Sequence, residues 1–421
     1  MEPSLATFSM LTSDEGTRLL LEASLLPTDS LTRQTRLRKR YSVEIATAAV
    51  ELLELRKRAA TKFIRAESMF FTREGLEQST GERIAAYRAS CFPSDVLMLD
   101  ACCGIGGDAL ALAKRGSVLA VDVNPTHALF TNANAKVTET AFPVVSLCAD
   151  VTSLDLDTLK SRGGHAAFFD PSRRTTSATG ERRRVRNGSD YSPSLGFAKE
   201  LASRFDAVAV KLSPALEDEA LEGFDADLEF ISERGECKEA VLWFNDLKKG
   251  QENRKQKSAS SSNLQSRRAT ILLPNRPPET LADFVCEPPL SSPILSFLYE
   301  PDPAILRAGL VSQLAVAGGF SPVNLQSVLL TADDEKQTSF AHGYRVRETL
   351  PFNVEKLKRH LKMKGWRVEV IKKRHLEIEP EVLRRQMNAG NPEGDPVTLF
   401  VFRQGERMTC VICDLFSAKL L

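Results

Sequence analysis

The chain has 421 residues, and its 56 Lys and Arg stand against 55 Asp and Glu, a formal net charge of +1. That length suits one large domain with one or two smaller ones, and the near-neutral balance means a nucleic-acid surface would have to come from local basic clusters. Met1 to Met10 lacks the basic start and apolar core of a signal peptide, no uncharged apolar run reaches about eighteen residues, and the eight cysteines show no four-ligand zinc spacing, so a cytoplasmic protein without membrane span or metal is expected.

Leu5 to about Lys62 reads as helical, with Ser13 or Asp14 as a cap and a long apolar period from Val43 through Leu55. Within it the basic run Arg33 to Arg40 is either a phosphate contact or a solvated helix face. Met69, Phe70 and Phe71 would either roof a cofactor pocket or pack between helices. Ser79 followed three residues later by Glu82 is a capping-box pattern for a helix through Ile84 and Tyr87.

Val96 to Asp108 reads V-L-M-L-D-A-C-C-G-I-G-G-D, a buried strand ending on an acidic residue and running into a glycine turn. Gly104, Gly106 and Gly107 let the backbone approach a ligand, and Asp108 opens a short helix to Arg115. Strand and helix signals then alternate: Ser117 to Val123, Thr126 to Lys136, Val144 to Asp150, His165 to Asp170, Ser194 to Phe205 and Ala207 to Leu212. Such alternation predicts an α/β, Rossmann-like parallel sheet with helices on both faces. Leu228 to Ser232, Ala240 to Phe244 and Arg268 to Leu273 suggest an antiparallel closure, and Lys248 to Ser266 reads as a polar, serine-rich loop.

Pro277 to Pro303 reads as a proline-rich connector, with Pro303 at the start of one helix. From about Phe340 the pattern becomes strand (Gly343 to Thr349), helix (Val354 to Lys364), strand (Arg367 to Lys373), helix (Glu379 to Asn388) and two strands (Val397 to Arg403, Arg407 to Leu415) turning at Gln404-Gly405-Glu406. This is a small α+β domain. The expected division is 1–66, a helical segment; 67–275, the α/β domain; 276–338, a connector with a helix; and 339–421, the α+β domain.

Asp100, Asp122, Asp150 and Asp170 fall at the carboxyl ends of four successive predicted strands, the edge where an open parallel sheet binds its ligand. Asp122 suits the two hydroxyls of a ribose and Asp150 an exocyclic amine of adenine, although each alone also reads as a helix cap. The glycine run satisfies the dinucleotide fingerprint, so NAD is one candidate. An acidic residue just before the glycines serves a pyrophosphate poorly and the amino group of a methionine moiety well, which favours S-adenosylmethionine.

The runs F-F-T-R-E-G-L-E-Q-S-T-G-E-R-I-A, L-D-A-C-C-G-I-G-G-D-A-L-A-L-A and V-L-A-V-D-V-N-P resemble the class I S-adenosylmethionine-dependent methyltransferases, most closely the trimethylguanosine-synthase-like branch. F-F-D-P-S-R-R, V-K-L-S-P and Y-E-P-D-P-A-I-L-R-A-G-L are similar to bacterial methyltransferase-like proteins with a C-terminal THUMP-like domain. The resemblance implies that Asp100, Gly104, Gly106, Asp122 and Asp150 hold the cofactor, with Gly107, Phe71 and Thr72 in the same site. It also implies that Asp170 and Pro171 form the catalytic motif. Where relatives carry Asp or Asn, Pro, Pro and an aromatic residue, this chain has Asp170-Pro171-Ser172-Arg173, without the aromatic platform or a cap-stacking tryptophan. Arg173 and Arg174, with Arg182, Arg183, Arg184 and Arg186, would meet a polyanionic substrate, and Tyr191 would either offer an aromatic face or be packed. Lys356, Lys358, Arg359, Lys362, Lys364, Arg367, Lys372, Lys373 and Arg374, against only Glu355 and Glu369 and with Trp366 among them, form a second basic cluster. The expected activity is N-methylation of a base in structured RNA (tRNA or rRNA). The alternatives are an RNA-binding protein that keeps the fold without catalysis, or a methyltransferase acting on a protein or small molecule.

Overall fold

A computed structural model of the chain describes residues 3–27, 29–173, 191–248, 266–324, 328–374, 377, 379–389, 393–404 and 407–416. The chain divides into two compact units, Met1–Leu228 with Glu239–Gln265, and Glu229–Lys238 with Ser266–Leu421. The expected connector and α+β domain therefore fall in one unit, and the N-terminal helices share the other with the α/β segment.

The first unit begins with four helices, α1 (Leu5–Leu11), α2 (Asp14–Leu25), α3 (Ser30–Leu37) and α4 (Val43–Ala59). Each starts on a polar cap: Ser4, Ser13, Asp29 and Ser42 accept from backbone amides of the first turn. Two short helices follow, α5 (Arg73–Gln78) and α6 (Glu82–Cys91). The expected capping box is not formed, because α6 begins on Gly81 and the Glu82 carboxylate accepts from Ile64 N at 2.9 Å. Glu82 N donates in turn to Lys62 O, so the residue is engaged by an earlier loop rather than by Ser79. In the basic run, Arg33 is neither solvated nor a phosphate contact: it is 3% exposed and donates to Leu26 O.

The α/β part comprises β1 (Leu97–Ala101), α7 (Gly107–Leu112), β2 (Val118–Asp122), α8 (Pro125–Thr138), β3 (Val144–Cys148), α9 (Leu156–Ser161), β4 (Gly164–Phe169), the short β5 (Ser172–Arg173) and β6 (Tyr191–Ser192), α10 (Gly196–Arg204) and β7 (Ala207–Leu212). Further on come β8 (Asp227–Glu233) and β9 (Glu236–Asn245). In this unit the sheet order is β9-β7-β4-β1-β2-β3. All pairs from β7 to β3 are parallel, and β9 adds antiparallel to β7, the expected closure. The strand order reverses between β1 and β4, so the crevice at their carboxyl ends is the switch point where ligands of such sheets bind.

In the second unit β8 lies beside β10 (Arg267–Leu272), which pairs antiparallel with β11 (Glu279–Ala282). A seven-stranded sheet follows, built from β12 (Phe297–Pro301), β13 (Ser321–Pro322), β14 (Leu330–Ala332), β15 (Ala341–Pro351), β16 (Trp366–Arg374), β17 (Asp395–Gln404) and β18 (Arg407–Phe416). Its helices are α11 (Pro303–Ala308), α12 (Val311–Gly318), α13 (Val354–Lys364) and α14 (Pro380–Asn388). Two expectations are corrected here. The proline-rich stretch is more than a connector, since β12 pairs with both β14 and β15. The single helix from Pro303 is two, because Gly309 at φ 72° ends α11 in a left-handed turn. Period-two alternation sorts β17 and β18 between two cores. Leu399, Val401, Cys410 and Ile412 pack under α13 and α14, while Phe400, Phe402, Val411 and Cys413 face the opposite side. Cys410 and Cys413 thus point to opposite faces.

Candidate active site

The β1 strand ends in a loop whose backbone is left-handed at Cys102 (φ 67°), Gly104 (φ 54°) and Gly106 (φ 89°). A side chain on Gly104 would meet nothing within 4 Å, so that face of the loop is open, whereas on Gly106 it would press on Thr131 at 3.0 Å. Gly107 opens α7. Side chains hold the loop from beneath: Gly104 N donates to Asp122 Oδ2 at 2.9 Å, Thr131 Oγ1 donates to Gly104 O at 3.0 Å and Asn134 Nδ2 to Ile105 O at 2.9 Å.

Asp100 is fully buried, and neither of its carboxylate oxygens has a hydrogen-bond partner among the described residues. Burial, with the charges of Asp108 and Asp170 against that of Arg88, holds its carboxyl well above the usual range. Asp122 closes β2; besides Gly104 N it accepts from Asn124 N at 2.8 Å, and His127 Nδ1 lies 3.3 Å from its Oδ1. A carboxylate has about four acceptor sites, so Asp122 keeps capacity for another donor. Asp150 lies two residues beyond β3, and its Oδ1 accepts from Thr152 N and Oγ1 at 2.9 and 2.7 Å. These hydrogen bonds hold its carboxyl below the usual range and make it the cap that sequence also allowed.

Asp170 follows β4 directly, and its amide donates to Ala101 O at 3.1 Å, which ties it to the strand leading into the glycine loop. Its Oδ2 is held by Lys211 Nζ of β7 at 2.6 Å. Behind this pair, Arg88 of α6 is buried between Asp108 and Glu239 (2.8 Å to the latter) and lies 4.5 Å over the Phe168 ring. Burial, joined by Asp108 and Asp170 against Arg88 and Lys211, pushes Glu239 up to about 7.

The remaining expected site residues are placed as follows. Pro171 is buried next to Asp170. Phe71 is 2% exposed, packs on Phe63 at 5.7 Å and shares an apolar core with Ile105 of the loop. Thr72 caps α5, its hydroxyl accepting from Gly75 N at 2.9 Å. Tyr191 is 1% exposed and its hydroxyl accepts from Ser213 N at 2.9 Å, so it is packed and presents no open ring face. Arg173 is placed by its backbone opposite Tyr191 in the β5–β6 pair. Arg174, Arg182, Arg183, Arg184 and Arg186 lie outside the described residues, as do most of Lys248 to Ser266 and the Gly405-Glu406 turn.

Sequence reasoning missed Lys211, Arg88, Glu239, Thr131 and Asn134. Lys211 had a signal, being the one charge in A-V-A-V-K-L, where a central strand buried on both faces should read as apolar. The others give none, since their partners are distant in the chain.

In the second unit part of the basic cluster is neutralised by acids the local sequence did not reveal. Glu300 of β12 binds Lys372 and Arg374, and Glu348 of β15 binds Lys364 at 2.7 Å and His360 at 2.5 Å. Lys356, Arg359 and Lys362 remain exposed on α13. The Trp366 ring is flanked by Arg347 at 4.8 Å and Lys364 at 5.5 Å. Among the described residues no helix is long and apolar enough to cross a membrane, and no group of three ligating side chains is placed to hold a metal.

Three family models match the chain: one described as RNA cap guanine-N2 methyltransferase over residues 96–185, one as THUMP domain-like over 341–415 and one as a domain of unknown function over 4–59. Two curated proteins of Mycobacterium tuberculosis (strains CDC 1551 / Oshkosh and ATCC 25618 / H37Rv), each described as an uncharacterized S-adenosylmethionine-dependent methyltransferase, are 28% identical over 380 residues, covering 86% of this chain and 96% of their own. A crystal structure from Porphyromonas gingivalis W83, described provisionally as a methyltransferase, superposes with a TM-score of 0.76 at 21% identity, covering 96% of this chain and 99% of that one. That likeness is one of fold.

Proposed function

We propose that this chain, a class I S-adenosylmethionine-dependent methyltransferase with a C-terminal THUMP-like domain, N-methylates an amino group of a base in structured RNA, tRNA or rRNA. S-Adenosylmethionine, when bound, supplies a methyl group on a positively charged sulfur. The site residues suit it: the buried Asp100 carboxyl, without a hydrogen-bond partner among the described residues, calls for a cationic amine, Asp122 retains acceptor capacity for a ribose and the open face of Gly104 admits a close approach. Gly106, Gly107 and Asp150 complete this set.

The observation that carries the reading is the Asp170–Lys211 pair at the switch point. Lys211 occupies Oδ2, and among the described residues Oδ1 has no partner, so one oriented acceptor is offered to an N–H of the substrate. Accepting that hydrogen bond turns the nitrogen lone pair toward the methyl group. With S-adenosylmethionine bound, the methyl group would pass to that nitrogen as S-adenosylhomocysteine leaves, and the Asp170 carboxylate would be placed to take the proton the methylated nitrogen gives up. Alignment of this kind is worth orders of magnitude in rate. Pro171 stiffens the backbone beside Asp170, and Arg173 and Arg174 would meet phosphate. An RNA acceptor is supported by the descriptions of two of the three matching family models and by the exposed lysines of α13. The packed state of Tyr191 favours a second reading, an RNA-binding protein without catalysis, because no aromatic platform follows Asp170.

The test is transfer of labelled methyl groups from S-adenosylmethionine to total RNA from a strain lacking the gene, followed by nucleoside mass spectrometry. A methylated exocyclic base amine is the expected product. RNA that binds but stays unlabelled would select the second reading, and label in protein or small molecules alone would overturn both.

A further inference from the structure

The N-terminal helices reach directly into the glycine loop. Ile105, between Gly104 and Gly106, is 1% exposed and packs in the same apolar core as Leu52, Leu55, Phe63, Phe70 and Phe130. Gly75 of α5 makes room for it, since a Cβ there would lie 2.5 Å from Ile105 Cγ2. Asn134 of α8 supplies a second tie. It is fully buried, its Oδ1 accepts from Phe70 N at 2.7 Å, and its Nδ2 donates to Phe70 O at 3.1 Å and to Ile105 O at 2.9 Å. Both Nδ2 protons and Oδ1 of that amide are engaged, so its position is set by two backbone segments at once. The Phe70 ring meets Phe130 at 5.9 Å, and Phe130 meets Phe8 of α1 at 5.1 Å. A continuous path of packed and hydrogen-bonded groups thus runs from α1 to the loop.

We propose that the N-terminal helices through α5 are part of the cofactor site rather than an appended module: they fix the glycine loop through Ile105 and Asn134, and S-adenosylmethionine binding is coupled to their packing. This rests on the cofactor and is independent of the acceptor. A loop with three left-handed residues in five positions would otherwise sample many conformations, so holding it in one removes an ordering cost from binding. Linkage makes the coupling reciprocal: if these helices favour the bound loop, the bound loop must stabilise the helices.

The experiment pairs calorimetry with hydrogen exchange on the full chain, using S-adenosylhomocysteine as the probe. Gly75→Ala, which pushes on Ile105, and Asn134→Asp, which keeps the acceptor for Phe70 N but loses the donors, should each weaken binding at least about tenfold while the circular dichroism of the folded protein is retained. In the wild type, saturating probe should slow exchange at Phe70 N as well as at Gly104 N and Gly106 N. Binding within about twofold of wild type in both variants would overturn the proposal. So would protection confined to the loop, a result readable even when a variant does not fold. A wild type that fails to bind the probe removes the cofactor assignment and this inference together, whereas failure to methylate RNA leaves it standing.

Discussion

The carboxylates of the sheet edge sit in different surroundings, and each predicts a different response to substitution. Asp170 is held by Lys211 and tied to Ala101, so Asp170→Ala should leave S-adenosylhomocysteine affinity nearly intact while methyl transfer falls by orders of magnitude, a loss of alignment. Lys211→Met should lower kcat with KM unchanged, because it frees the acceptor to rotate without touching substrate; a change in KM alone would contradict that role. Asp122 both holds Gly104 N and retains acceptor capacity, so Asp122→Ala should weaken cofactor binding by about 1.5–3 kcal/mol for each hydrogen bond removed. Asp122→Asn, which keeps one acceptor oxygen, should lose less, and calorimetry distinguishes the two. Glu239 predicts a pH effect on stability. Its carboxyl is raised by burial from 4.5 to about 7, so between those values the folded chain holds a proton that the unfolded chain releases. Its stabilising contribution is therefore complete below 4.5 and is lost as pH rises toward 7. Glu239→Gln should remove that part of the slope, and a constant stability difference from wild type across the window in urea titrations would refute it.

Among the elements, those with a strong local pattern were the legible ones. Ala207–Leu212 and Val354–Lys364 have the bounds their periodicity indicates, and the cap at Ser13 announces the start of α2. The capping box at Ser79 failed because a distant loop claimed Glu82, a competition invisible in a four-residue motif. The basic cluster of the C-terminal domain was legible as composition but not as net charge, since Glu300 lies 72 and 74 residues from the cations it neutralises. What remains for a polyanion is chiefly the α13 face. Replacing Lys356 and Lys362 with Gln should weaken binding of tRNA and reduce the slope of log affinity against log salt by roughly 0.7–0.9 for each phosphate no longer neutralised. Replacing Lys372 should reduce that slope less, because Lys372 is ion-paired to Glu300, which it shares with Arg374. Filter binding across a salt series checks both.

For the whole molecule, deleting no segment but adding S-adenosylhomocysteine should raise the unfolding temperature in proportion to the logarithm of its concentration above Kd, as binding to the folded state alone requires. NAD should produce no such shift; a comparable shift would return the glycine turn to the dinucleotide reading. Sequence by itself determined the α/β class, the order of strands along the chain, the glycine loop and the acidic residues at the strand ends. Those features follow from periodicities of two and 3.6 and from backbone geometries that few residues accept, all of them local. Tertiary structure decided which acid meets which partner. Asp170 meets a lysine 41 residues away, Asn134 braces a backbone 64 residues earlier, and a proline-rich stretch read as a connector becomes the strand β12 inside a sheet. Each of these is a pairing across the chain, and its energy depends on burial and on the partner it excludes from water, neither of which is written in the residues beside it.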